Sequence, residues 1–95
     1  MTDVADFAAG LARDGFDDTE VKGVAAGQVV PDHAHGFDLR ALVLDRAMTI
    51  EVAGEATTYR VGEVFTMADG REHNETVGPE GVRFLVGQRR ALRAA

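Results

Sequence analysis

The chain of 95 residues predicts an all-β fold, a closed barrel or double-sheet jelly roll preceded by one short helix. Three observations predict it. From Glu20 onward, short runs rich in Val, Thr, Ile, Leu and Phe alternate with glycine-bearing turns, which is the texture of many short strands. Apolar residues recur at helical spacing only at the amino terminus. The length suits one domain, and a hydrophobic fraction of 45% is enough for a packed core.

The helix is read over Asp3 to Arg13. Val4, Phe7, Ala8 and Leu11 fall at i, i+3, i+4 and i+7, on one face. Thr2 or Asp3 caps its start and Gly15 ends it. It is expected to cover one mouth of the barrel or to lie across a partner subunit. Strands are expected at about Glu20–Ala25, Gln28–His33, Asp38–Leu44, Thr49–Val52, Thr57–Arg60, Val64–Met67, Glu72–Val77 and Val82–Gly87. Ala53-Gly54-Glu55 reads as a tight hairpin and Val61-Gly62-Glu63 as a second break. Gly78-Pro79-Glu80-Gly81 reads as a four-residue turn, because Pro presets one dihedral and Gly supplies a positive one. The division is a helical segment over 1–16, a barrel over 19–87 and a tail over 88–95. Closure of the sheet removes edges that would otherwise pair between molecules.

Composition excludes several functions. There is no cysteine, which rules out disulfides, thiolate metal sites and cysteine nucleophiles, and no serine for a serine-based triad. A formal net charge of −6 repels phosphate backbones, so nucleic acid is not an expected partner. Arg89, Arg90 and Arg93 read as a solvated end. No stretch is long and apolar enough for a membrane span, and the amino terminus has no charged-then-apolar leader. A cytoplasmic protein is therefore expected.

The three histidines carry the chemistry. His33 and His35 are two apart, so on a strand both imidazoles point to one side. His73 is remote in sequence but begins a predicted strand, just after the Asp69-Gly70 turn. A distant strand that brings a third imidazole makes a three-nitrogen site for Fe, Mn, Ni or Zn. The same pair can equally be two polar residues on a wet face.

The spacing around them favours the metal site. Gly27, five residues, then His33-Ala34-His35 is followed later by Gly62, five residues, Ala68-Asp69-Gly70, two residues and His73. In both segments the chain resembles the cupin superfamily, over about Val24 to Val86. The resemblance implies a cupin double-stranded β-helix, a divalent metal ion on His33, His35 and His73, a small-molecule ligand and a homodimer. Three positions depart from the pattern. Leu39 and Arg40 stand where the first motif carries its glutamate ligand, with Asp38 the nearest substitute, as a ligand or as a surface residue. Ala68 replaces a proline, and Val77 replaces an asparagine. Without the carboxylate, the site is similar to that of three-histidine thiol dioxygenases and leaves coordination positions open.

Phe37, Leu39 and Ala41 keep even spacing from the histidines and are expected to line an apolar pocket with Met67 and Tyr59. Core packing is the other reading of each. Arg40 either binds a substrate carboxylate or pairs with Asp38 or Asp45. Glu72 and Glu75 flank His73 and either orient an imidazole or stay solvated. The expected function is a metal-binding cupin that takes a small polar or anionic molecule at an open metal position, with metal-dependent dioxygenation or isomerisation as its enzymatic form. The alternatives are a non-enzymatic metabolite sensor acting through a partner protein and a metal-free dimer.

Overall fold

The computed structural model describes residues 3–90. One helix, α1 (Val4–Arg13), precedes six strands: β1 (Asp18–Val24), β2 (Val29–His33), β3 (Asp38–Val52), β4 (Glu55–Arg60), β5 (Val64–Met67) and β6 (His73–Arg89). All strand pairs are antiparallel. No helix among the described residues is long and apolar enough to cross a membrane.

Two long strands organise the sheet. β6 pairs with β2 through its first residues and with β1 through its last, while its other side pairs with β3. β3 pairs with β5 over Leu39–Leu42 and with β4 over Ala47–Val52. Two halves result, β1-β6-β3-β5 and β2-β6-β3-β4, and both long strands run through each half. This is the all-β, jelly-roll architecture expected, although the expected eight strands are six.

The difference lies at two corners. Asp38–Leu44 and Thr49–Val52 belong to one strand, and so do Glu72–Val77 and Val82–Gly87. Between them the β3–β6 register slips: Arg46 faces Val82, and the next pair is Met48 with Val77. The segment Gly78–Gly81 is therefore not a turn between two strands. It is a bend inside β6, at the place where that strand exchanges β2 for β1. Gly81 serves this bend with a φ of +79°, and a Cβ there would stand 3.0 Å from the Val24 carbonyl oxygen. Arg46 takes the matching corner on β3 at φ 69° and donates to Glu80 across it at 2.9 Å. The β3–β4 hairpin closes on Ala53 and Gly54, both at positive φ, as a two-residue turn of primed type requires.

Strand alternation sorts two cores. Inward residues Ala41, Val43, Met48, Ile50, Phe65, Met67, Val77, Val82, Phe84 and Val86 fill the space between the halves. Outward residues Leu42, Leu44 and Leu85 meet Phe7, Leu11 and Phe16 in a second cluster. Helix α1 thus lies on the outer face of the sheet, not over a barrel mouth. Asp3 caps it by accepting from the Asp6 N–H, and Thr2 lies outside the described residues. Of the predicted helix face, Phe7 and Leu11 are buried while Val4 and Ala8 are exposed. Gly10 is buried in place of Ala8. Gly87 makes the close approach possible, since a Cβ there would meet Leu11 and Phe16 at 3.0 Å.

The predicted tail is also corrected in part. β6 runs on to Arg89, whose guanidinium donates to Asp38 and to the Asp14 carbonyl and lies over the Phe16 ring. That arginine fastens the end of α1 to the sheet. Arg90 lies over the Phe37 ring, and Arg93 lies outside the described residues.

Candidate metal centre

The three histidines meet. A ligand nitrogen from each of His33, His35 and His73 lies within 4.8 Å of the other two. Ring centroids stand 4.3 Å apart for His33 and His73, 4.9 Å for His33 and His35, and 5.2 Å for His35 and His73. His33 ends β2 and faces His73, the first residue of β6, as a directly paired position. The pairing slips by one residue between Val30 and His33, around Pro31, which has no N–H to give the ladder. His35 lies beyond the end of β2, so its ring is brought in by the loop that follows, not by strand alternation. The loop is fixed by the Gly70 N–H, which donates to the His35 carbonyl at 2.9 Å. The two histidine segments are thus tied together through their backbones.

Two imidazoles are oriented from behind. His33 Nδ1 lies 2.9 Å from the Pro31 carbonyl, and His73 Nδ1 lies 3.0 Å from the Arg71 carbonyl. A ring whose Nδ1–H donates to a carbonyl carries its lone pair on Nε2, the form in which an imidazole binds a metal. His73 is buried, and His33 and His35 are half-buried. The His35 ring stacks on Phe37, with centroids 4.9 Å apart. Burial, followed by the neighbouring His33, His73 and Lys22, holds its pKa below the usual 6.5 and so favours the neutral ring.

The residues named from sequence separate clearly. Phe37, Leu39 and Met67 line a cavity of about 90 Å³ beside His35 and His73. Ala41 is fully enclosed in the core behind it. Tyr59 packs on Phe65 at 5.3 Å and borders a separate, open depression. Arg40 faces the other side of the sheet, as its even neighbours Leu42 and Leu44 do. It pairs with Asp14 at 2.7 Å and covers the Phe16 ring, so it binds neither a pocket ligand nor Asp38 or Asp45.

Asp38 does not join the imidazoles. One of its oxygens accepts from the Asp69 N–H and the other from Arg89, each at 2.9 Å. Both contacts hold its pKa below 3.8, the backbone N–H more than the arginine. Its work is to brace the Asp69-Gly70 turn that leads to His73. Glu72 is exposed and alternates away from the cavity. The carboxylate that does face the rings is Glu75, two residues after His73 on the same side of β6. Its Oε2 lies 3.4 Å from His33 Nε2 and 4.0 Å from His73 Nε2. Sequence reasoning could have ranked it above Glu72 by strand alternation alone. Lys22 and Gln88, on the terminal strands, also reach the cavity, and no sequence signal marked them.

The donor set fits a divalent metal ion. It consists of convergent imidazoles on mutually braced segments, with a carboxylate beside them and an apolar cavity in front.

Comparison with known proteins places the fold. No protein-family model matches the chain, and no curated protein matches it in sequence. Solved structures do. A Rhizobium leguminosarum protein of unknown function matches with a TM-score of 0.72 and 20% identity, over 77% of this chain and 69% of that one. An RmlC-like cupin from Shewanella frigidimarina matches with a TM-score of 0.66 and 18% identity, over 77% of this chain and 65% of that one. The DMSP lyase DddQ of Ruegeria pomeroyi matches with a TM-score of 0.70 and 20% identity, over 81% of this chain but only 40% of that one. The chain has the cupin fold, and within it a cluster of three histidines able to hold a metal ion.

Proposed function

We propose that this protein is a metal-binding cupin that holds one divalent ion on His33, His35 and His73 and takes a small polar or anionic molecule at an open position of that ion. The observation that carries this reading is the convergence of three imidazole nitrogens within 4.8 Å, two of them oriented by backbone carbonyls, at the wall of a cavity. A bound divalent ion supplies Lewis acidity, or redox chemistry if it is iron or manganese.

The chain's own residues set the rest. The cavity of about 90 Å³ is smaller than the ~150 Å³ void that admits benzene, which restricts a fully enclosed ligand to a few heavy atoms. Leu39, Ile50, Phe65, Met67 and Phe84 give it an apolar wall that excludes water from the ligand's body. Lys22 at its rim supplies a positive charge for an anionic end. Among the described residues, Glu75 is the one carboxylate of the cavity wall. A structural neighbour that is a DMSP lyase supports a small metabolite as the ligand class.

The test is metal content of protein purified without a histidine tag. About one equivalent of Fe, Mn, Ni or Zn is expected in the wild type, and the His33→Ala, His73→Ala double variant is expected to lose it. A wild-type protein that stays metal-free after exposure to these ions would reject the reading.

A further inference from the structure

We infer that Glu75 completes the metal centre, supplying from β6 the carboxylate that the first histidine segment lacks. The inference rests on the metal-binding reading above and assigns a fourth protein ligand to it.

The sequence places Leu39 and Arg40 where a carboxylate ligand would be expected, and the structure turns both to other uses. Leu39 lines the cavity and Arg40 pairs with Asp14 on the far side of the sheet. Asp38 has both oxygens engaged by Asp69 and Arg89. Glu75 is the carboxylate left facing the imidazoles. Alternation along β6 puts His73 and Glu75 on the inner side and turns Asn74 outward, where it donates to Asp32 and Glu51.

The setting of Glu75 calls for a cation. Its side chain is 16% exposed. Among the described residues, the ion-pair partners of its carboxylate are the His33 and His73 rings, and no lysine or arginine lies within 4.0 Å of it. A half-buried carboxylate gains from a cation held beside it. His33 and His73 direct Nδ1 to backbone carbonyls, which leaves their Nε2 atoms facing Glu75. Two ring nitrogens and a carboxylate oxygen converge on the same space.

Their separations match ligands around one ion. With bonds of about 2.0–2.2 Å, neighbouring ligands stand roughly 3–3.5 Å apart, and opposite ones roughly 4.2 Å apart. Glu75 Oε2 lies 3.4 Å from His33 Nε2 and 4.0 Å from His73 Nε2, inside that range. A carboxylate ligand also cancels one of the ion's two positive charges. It adds a hard oxygen donor that favours iron or manganese over softer choices.

Cobalt(II) is the probe, because its visible bands report ligand number and type. Cobalt titrations of the wild type, Glu75→Gln and Asp38→Asn are compared, with circular dichroism to verify folding. Glu75→Gln should weaken cobalt binding at least by the ~10–100-fold that loss of an outer partner of a metal ligand brings, and should shift the visible bands. Asp38→Asn should keep the wild-type bands. Independently of any variant, the infrared difference between cobalt-loaded and metal-free wild type should show a shifted carboxylate stretch. Equal affinity and identical bands in Glu75→Gln, or no carboxylate change in the wild-type difference spectrum, overturns the inference and leaves the three-histidine site standing. Failure of the wild type to bind cobalt instead removes the reading beneath it.

Discussion

Asp38 illustrates how a residue that sits beside a motif can serve it without entering it. Its carboxylate joins the Asp69 N–H to Arg89, and those contacts keep its pKa below 3.8 in the folded chain. A carboxyl with a lower pKa folded than unfolded contributes stability that is complete above the unfolded value and disappears as pH falls through the folded one. Asp38→Asn should therefore melt at a lower temperature than the wild type at neutral pH, and the gap should close as the pH drops below 3.8. Thermal melts across pH 2–7 check this. The histidines were legible because a metal needs donors at fixed spacing, and both glycine-to-histidine intervals are local in the chain. Glu75 was half legible, since its distance of two from His73 marks the side but not the partner. Arg40 was misread because its true partner, Asp14, is 26 residues away, across a helix-to-sheet contact that no local pattern encodes.

At the scale of elements, α1 is held by its own apolar face and by two arginines on the outside of the sheet. Leu11 is 1% exposed between Phe16, Leu42 and the Gly87 backbone. Leu11→Ala should cost about 2–5 kcal/mol in denaturant unfolding, the range for emptying a well-packed leucine site. It should leave metal stoichiometry unchanged, because the imidazoles lie on the opposite side of the sheet. A variant that lost both would tie the helix to the centre. The helix itself was readable from its periodicity, but its docking face was not. The apolar outward positions of β3 and β6, Leu42 and Leu85, only gain meaning once α1 covers them. The two long strands were unreadable for a related reason. Gly78-Pro79-Glu80-Gly81 has turn composition, and the chain does bend there, but flanking pairs to β3 on both sides make it one strand.

Across the whole molecule, β3 and β6 form a spine through both halves, and the short strands attach at its margins. Such a plan joins the outer apolar cluster, the inner core and the imidazoles through the same two strands, so a change in one half has a physical route to the other. The cupin fold was legible because alternating apolar positions and two histidine segments agree. Which strands would fuse depended on pairing between residues far apart in the chain.

The unequal anchoring of the three rings has a kinetic consequence. His73 belongs to a strand bordered on both sides, whereas His33 and His35 hang from β2, which pairs with β6 alone among the described residues, and from the loop after it. Ion uptake and release should then proceed by transient lifting of this one arm while the rest of the molecule stays intact. Deuterium should enter the amides of residues 29–37 well before those of residues 73–77 in metal-free protein, and a bound ion should slow the first group most. Uniform exchange in both segments would mean that the ion escapes only when the protein unfolds.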